Sequence, residues 1–383
     1  MKRNWEILGL ILTAGLMFGS TIAVEAPAAA ATSIAGKTCA KKGLIKTVGG
    51  YKHTCVLKNK KLVWNTGVVT PKTPISARPS ASPSAMPKSA NDLLSEKILA
   101  LYEDSKNFES YGFNLTLCPT VNKTKVTETV AAYTDAMRLW ARFFRPKQNL
   151  NWVMFSNLDY ECWLATVQLI EGPSGDTKVW NPVSNVMGHC TLTPGSFCGY
   201  GTGVRPNRPF VQYNAIGITY SQPPQPSVVH HEAVHLYQMA LQSELEPRTG
   251  GPDLPGWFVE GQANLFGMTI ANNGTASGHR LFEIGRIKNT IPGAGNFEPS
   301  QWLAKLNELD SQHEFIFKNE LGYSLGWLIL EKFYQNFSFA QMHNLLVHAN
   351  KGESWDQSLK LALGTSKEAF YPEIADYLAA EIN

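Results

Sequence analysis

Apolar side chains recur at intervals of three and four residues over most of the chain beyond residue 92, which is the spacing of amphipathic helices. Residues 124–144 show it most clearly, with large apolar groups at Val130, Tyr133, Met137, Trp140 and Phe144. The same spacing predicts further helices at 92–110, 158–170, 278–289, 300–308, 320–335, 338–349, 355–363 and 366–381. Residues 150–155 and 210–220 predict strands. The pattern therefore predicts a predominantly helical α+β domain with a small sheet, spanning residues 92–383.

The first 31 residues have the composition of a secretory signal peptide. Lys2 and Arg3 precede an apolar run over residues 7–23, and small residues with A-x-A spacing follow. An uncleaved membrane anchor is the alternative, but glycines interrupt the run, which is short for a span of about 20 residues. We therefore predict cleavage after residues 1–31 and a secreted, extracellular protein, either soluble or associated with the cell wall, with no membrane span after cleavage.

Residues 32–69 form a small module with an unusual charge. Residues 37–61 contain eight lysines and no acidic residue, and alternating apolar positions around 49–50 and 59–60 predict short strands. A linker rich in Pro, Ser and Ala follows at 70–91 and adds three positive charges. Because the whole chain carries +3, residues 92–383 carry about −8. We predict that residues 37–61 attach to an anionic cell-envelope polymer, although a solvated basic strand pair has the same composition.

All six cysteines lie after the predicted signal peptide, where an oxidising compartment favours disulfides. Six cysteines allow fifteen pairings. Cys39 with Cys55 and Cys190 with Cys198 are the local pairs, which leaves Cys118 with Cys162. A cysteine metal site would need closely spaced pairs such as C-x-x-C, and the sequence has none.

The candidate chemistry lies in the segment His231-Glu232-Ala233-Val234-His235, within an apolar stretch that follows three prolines. On a helix, residues four apart lie on the same face, so His231 and His235 can reach one metal ion. Glu232 lies about 100° round the helix and can hold a water molecule beside that ion without binding it. His230 points off this face and is predicted not to be a ligand.

A catalytic zinc site takes three protein ligands, so one more is required. Residues 257–266 predict a second apolar helix, and Glu260 is the only acid in it. We therefore predict a Zn²⁺ site formed by His231, His235 and Glu260. Asn264 lies one turn beyond Glu260, where its side chain can hydrogen-bond one of the imidazoles.

The two segments HEAVH and WFVEGQANLF resemble the gluzincin zinc metallopeptidases, which carry HExxH and then a glutamate ligand in a W-x-x-E-G-x-A context. The resemblance implies a zincin-like catalytic domain with His231, His235 and Glu260 as zinc ligands and Glu232 as catalytic base. The Lys-rich module, which ends in KLVWN, is similar to one found in secreted actinobacterial proteins.

The resemblance extends more weakly over residues 150–383. Residues 322–333 resemble a later helix of bacterial gluzincins, which implies Tyr323 as a further catalytic residue that stabilises the oxyanion; His313 is a second candidate for that task. The resemblance also implies that strand 210–220 is the sheet edge on which an extended peptide substrate docks.

The sequence thus predicts a secreted zinc-dependent peptidase in which Glu232 assists attack by water on a peptide bond. Two alternatives remain. One is a non-catalytic envelope-binding protein with a structural zinc site, and the other is a zinc amidase acting on peptidoglycan stem peptides. The chain contains no phosphate-binding glycine loop and no nucleic-acid-binding motif.

Overall fold

The computed structural model describes residues 35–48, 51–58, 60–65, 68–69, 88–156, 158–171, 201–205, 211–216, 223–245, 254–274, 277–310 and 321–383. They fall into two compact units, 35–69 and 88–383, which we describe separately. The predicted signal peptide, most of the predicted linker, Cys190, Cys198 and His313 lie outside the described residues. None of the helices described is both long and apolar enough to cross a membrane.

The smaller unit is an antiparallel sheet built around its longest strand. Its strands are β1 (Ile45–Val48), β2 (Tyr51–Lys58), β3 (Lys61–Trp64) and β4 (Val68–Val69), and the other three all pair with β2. The predicted disulfide between Cys39 and Cys55 is confirmed. Only three side chains described in this unit are buried, namely His53, Cys55 and Trp64. With so small a core, the disulfide is a main source of stability.

The larger unit is mostly helical, as predicted. Its described residues contain eleven helices: α1 (Ala90–Ser105), α2 (Lys123–Ala141), α3 (Tyr160–Glu171), α4 (Pro226–Glu244), α5 (Gly256–Ala271), α6 (Ser277–Thr290), α7 (Pro299–Leu309), α8 (Leu321–Asn336), α9 (Phe339–Lys351), α10 (Trp355–Leu363) and α11 (Lys367–Ile382). Local signals set their ends. Ser89 and Asp92 form a capping box at α1, Pro226 occupies the first turn of α4, and Gly352 ends α9 with φ 82°.

A four-stranded sheet accompanies these helices. Its strands are β5 (Phe113–Leu117), β6 (Leu150–Phe155), β7 (Gly201–Arg205) and β8 (Val211–Ala215), in the order β5-β6-β8-β7. The first three in that order are parallel, and β7 runs antiparallel to β8.

The prediction that residues 210–220 form a sheet edge is wrong for residues 211–215, the part of this segment that the structure describes as a strand. Strand β8 lies between β6 and β7, so its hydrogen-bonding groups are paired on both sides. Among the described strands, the edge beyond it is β7, whose sequence GTGVR contains two glycines and no alternating apolar pattern. Such a strand forms because it hydrogen-bonds to β8. Its own residues do not have the apolar alternation from which a strand is predicted.

The two faces of this sheet pack against different partners. Trp152 and Met154 of β6 belong to the main apolar core, which they share with α2, α4 and α5. Val153 and Phe155 point the other way and pack with Trp163 of α3. The predicted disulfide between Cys118 and Cys162 is confirmed and ties α3 to the end of β5.

Helix α5 is the centre of the larger unit, because thirteen of its sixteen residues are buried. It approaches α8 so closely that a Cβ at Gly326 would lie 2.1 Å from the carbonyl oxygen of Trp257, and one at Gly261 would lie 2.3 Å from the carbonyl carbon of Gly326. On its α4 side, a Cβ at Gly267 would lie 2.8 Å from the carbonyl oxygen of Ser227. Glycines thus bring three backbones into direct contact.

We expect Gly326→Ala to destabilise the protein by about 3 kcal/mol, at the upper end of the overpacking range, because the added methyl group would overlap the backbone of α5. Gly285→Ala is the matched control, since Gly285 lies inside α6 with no atom within 4 Å of an added Cβ. That change should stabilise the protein by about 0.5–1 kcal/mol. Urea denaturation of both variants measures the difference, and equal effects would contradict the close helix contact.

Candidate metal centre

The HExxH segment lies in the middle of α4, with both histidines on the side that faces α5. The Nε2 atoms of His231 and His235 are 3.1 Å apart. The side chains are only 14% and 12% exposed, so the pair lies beneath the surface with an opening to it. The predicted pairing of the two imidazoles on one helix face is therefore confirmed.

Glu260 reaches the same point from α5. Its Oε2 atom lies 3.4 Å from Nε2 of His231 and 3.3 Å from Nε2 of His235. A tetrahedral ion with bonds of about 2.0–2.1 Å holds its donor atoms roughly 3.3 Å apart. The three atoms therefore already have the spacing of ligands to one metal ion. Among the described residues they are the group that could hold such an ion, and we call it the metal-binding group.

Hydrogen bonds behind the histidines direct their lone pairs into this space. Nδ1 of His231 donates to Oδ1 of Asn264 at 3.1 Å, so the predicted hydrogen bond between Asn264 and an imidazole is confirmed. Nδ1 of His235 donates to Oε1 of Gln238 at 2.9 Å. When neutral, both rings carry their proton on Nδ1, and both Nε2 atoms present a lone pair.

These three converging acceptors fit a cation. Oε2 of Glu260 is buried and has no hydrogen-bond donor among the described residues. Burial alone would lower the pKa of His235, but the carboxylates of Glu260 and Glu232 outweigh it and raise this pKa to about 9. Burial likewise opposes ionisation of Glu260, yet the two histidines hold its pKa well below the usual range. The group therefore fits a divalent metal ion with nitrogen and oxygen ligands.

Two further side chains border the metal-binding group. Burial raises the pKa of Glu232, and the carboxylate of Glu260 adds to this while the two histidines oppose it. The ring of Tyr323, from α8, stacks on that of His231 with centroids 5.8 Å apart. Burial, together with the carboxylates of Glu260 and Glu232, raises the pKa of Tyr323 well above 10, so its hydroxyl group stays protonated.

The structure also shows what the sequence left undecided or missed. His230 is buried, packs edge-on against Tyr102, and lies outside the metal-binding group. Gln238 was not predicted, although its position three residues after His235 on one helix was a usable signal. Its partner Gln262 belongs to α5, and Tyr334, which Gln262 contacts in turn, belongs to α8, so nothing in the local sequence links them to the site.

No protein-family model, no curated protein and no solved structure matches this chain. The resemblance to gluzincins therefore depends on residues of this sequence, chiefly those of α4 and α5. The geometry and chemistry of the site are therefore the evidence for the function of this protein.

We expect the purified full-length chain to bind one divalent metal ion, and Glu260→Ala to weaken that binding by more than about 100-fold. Loss of a residue that only orients a ligand costs about 10–100-fold, so loss of a ligand should cost more. The control is Glu373→Gln, which removes an exposed carboxylate from α11. Metal content by mass spectrometry and chelator competition measure the effect. Full retention of metal by Glu260→Ala would place the third ligand elsewhere.

Proposed function

We propose that this protein is a secreted zinc-dependent peptidase that hydrolyses peptide bonds at the His231, His235 and Glu260 group. The observation that carries the proposal is the combination of three converging ligand atoms with a fourth side chain, Glu232, beside them. Two histidines with one carboxylate are the ligand set of several catalytic zinc sites, where the remaining position stays open. Intermediate exposure of His231, His235 and Glu232 supports access from solvent.

The donor set favours zinc over other ions. Imidazole nitrogen suits zinc, copper, iron and nickel, whereas calcium and magnesium prefer oxygen ligands. Zinc commonly takes four ligands, so a group of three protein ligands leaves one position for water or substrate. A structural zinc site, in contrast, is closed by four protein side chains. Only three converge among the residues that the structure describes, which favours the catalytic interpretation over the non-catalytic alternative.

A bound zinc ion would act as a Lewis acid and make a water molecule acidic enough to attack at neutral pH. In the proposed reaction, the carboxylate of Glu232 accepts the proton of the attacking water. The same carboxyl group then delivers the proton to the nitrogen of the leaving amine. Burial raises the pKa of Glu232, and a higher pKa makes its carboxylate a stronger base.

Tyr323 has the properties of an oxyanion donor in this scheme. Its hydroxyl group stays protonated next to two carboxylates, so it can donate a hydrogen bond to the carbonyl oxygen as negative charge develops there. Its stacking on the ring of His231 limits its rotation and keeps it beside the metal-binding group. A peptidoglycan amidase would use the same groups, so choice between the two depends on the substrate.

We expect Glu232→Gln to reduce hydrolysis by at least about 100-fold while zinc content stays unchanged. The amide cannot accept the proton of water, and general base catalysis contributes about 10²–10⁴-fold. The assay uses a mixture of fluorogenic peptides and, in parallel, isolated peptidoglycan stem peptides. The control is again Glu373→Gln. Equal hydrolysis by Glu232→Gln and the wild type would refute the catalytic role, and cleavage of stem peptides alone would favour the amidase.

We further propose that the smaller unit attaches the protein to an anionic cell-envelope polymer. Its described residues contain no acid, so no lysine there is neutralised within the unit. Every lysine whose exposure is described in it is exposed, and β2 and β3 place Lys58 directly opposite Lys61. Like charges in that position destabilise a sheet, so the unit keeps them at a cost in stability. A polyanion would remove that cost, which supports a binding role.

We expect Lys61→Glu to increase the stability of the smaller unit and to weaken its binding to a polyanion. The change should stabilise the smaller unit by about 0.2–1 kcal/mol, because it converts a repulsive cross-strand pair into an attractive one. It should also weaken binding to immobilised polyphosphate, and wild-type binding should fall as salt increases. Lys97→Glu, an exposed change on α1, is the control. Unchanged polyphosphate binding by Lys61→Glu would contradict the attachment role.

A further inference from the structure

Gln238 lies one turn after His235 on α4 and makes hydrogen bonds with both of its amide atoms. Its Oε1 atom accepts a hydrogen bond from Nδ1 of His235 at 2.9 Å. Its Nε2 atom donates to the carbonyl oxygen of Val259 at 3.2 Å and to Oε1 of Gln262 at 2.9 Å. The side chain is buried, so these protein groups take the place of water.

The orientation of this amide is determined by a backbone group. A carbonyl oxygen can only accept, so the group that faces Val259 must be the NH₂ of Gln238. Rotation of the amide by 180° would set its oxygen against that carbonyl oxygen and leave two buried acceptors facing each other. Oε1 of Gln238 therefore faces His235, and Nδ1 of His235 must be the donor.

The chain of hydrogen bonds continues to α8. Gln262 accepts from Gln238 and donates from its own Nε2 atom to the hydroxyl oxygen of Tyr334 at 2.7 Å. Both are buried. Each amide accepts through its oxygen and donates through its nitrogen. The carbonyl oxygen of Val259 fixes the orientation of Gln238 and so determines which group donates in every hydrogen bond of the series. Helices α4, α5 and α8 are thus connected through buried side chains behind the metal-binding group.

We propose that Gln238 is a positioning residue for the metal centre, which holds Nδ1 of His235 in the donor state and fastens α4 to α5 next to Glu260. Val259 directly precedes Glu260, so one amide contacts both a ligand and the backbone beside another ligand. The inference rests on the metal site of the proposed function and not on the substrate. Loss of Gln238 should therefore change the orientation of His235 and its distance from Glu260 together.

The test compares Gln238→Leu with Gln242→Leu, a matched change one turn further along α4. Imidazole N–H resonances of ¹⁵N-histidine-labelled full-length protein are recorded without and with zinc. The wild type should show slowly exchanging Nδ1–H resonances from His231 and His235, besides that of buried His53, whose Nδ1 donates to the carbonyl oxygen of Asn65. Gln238→Leu should lose the His235 resonance, keep the His231 resonance, and bind zinc about 10–100-fold more weakly by chelator competition. Gln242→Leu should change neither.

A second variant, Gln238→Glu, keeps an acceptor for His235 and loses the donor to Val259. It should retain the His235 resonance and lose less zinc affinity than Gln238→Leu. Intact His231 and His235 resonances and unchanged zinc affinity in a folded Gln238→Leu would overturn the inference. If that variant does not fold, loss of the His235 resonance in Gln238→Glu would overturn it instead. A wild type that binds no zinc would refute the proposed function, and the zinc-free spectra would still test Gln238.

Discussion

The architecture of the candidate site depends on how closely three helix backbones approach each other. Gly261 and Gly326 remove the side chains that would separate α5 from α8, and Gly267 does the same between α5 and α4. Glu260 and Gly267 are seven residues apart, so they share one face of α5. The close approach at Gly267 therefore brings Glu260 within reach of the histidines. The contact at Gly326 in turn brings Tyr323, one turn earlier on α8, to the other side of the same group.

Polar contacts that are buried or partly buried hold the two ends of this arrangement. At the start of α5, Nε1 of Trp257 donates to Asp310 at 3.1 Å, and Tyr371 donates to the same carboxylate. On α8, Glu331 accepts from Trp327 and pairs with Arg280 of α6. Buried charges of this kind stabilise only when they are paired, and removal of one partner is costly. They therefore favour one arrangement of α5 and α8 over others that bury the same apolar area.

Local periodicity explains which parts of this structure the sequence could predict. Spacing within one helix places His231 beside His235 on α4, and Glu260 beside Asn264 on α5. The metal-binding group and the hydrogen bond between Asn264 and an imidazole could therefore be anticipated. The placement of β8 could not, because it depends on β7, a strand with two glycines and no apolar alternation to predict it. Likewise, the hydrogen bonds of Gln262 to Gln238 and Tyr334 connect different helices, so the spacing within one helix could not predict them. Both described disulfides followed from proximity along the chain, because pairing the cysteines that are close in sequence leaves Cys118 with Cys162.

The choice of amides behind the histidines has an electrostatic consequence for Glu232. Carboxylates are frequent partners of metal-binding histidines, where they add negative charge to the site. Here Asn264 and Gln238 accept the same hydrogen bonds without net charge. Burial already raises the pKa of Glu232, and Glu260 raises it further. An additional carboxylate behind either ring would raise it again, because like charges disfavour ionisation. Neutral partners therefore orient both imidazoles without raising the pKa of Glu232 further.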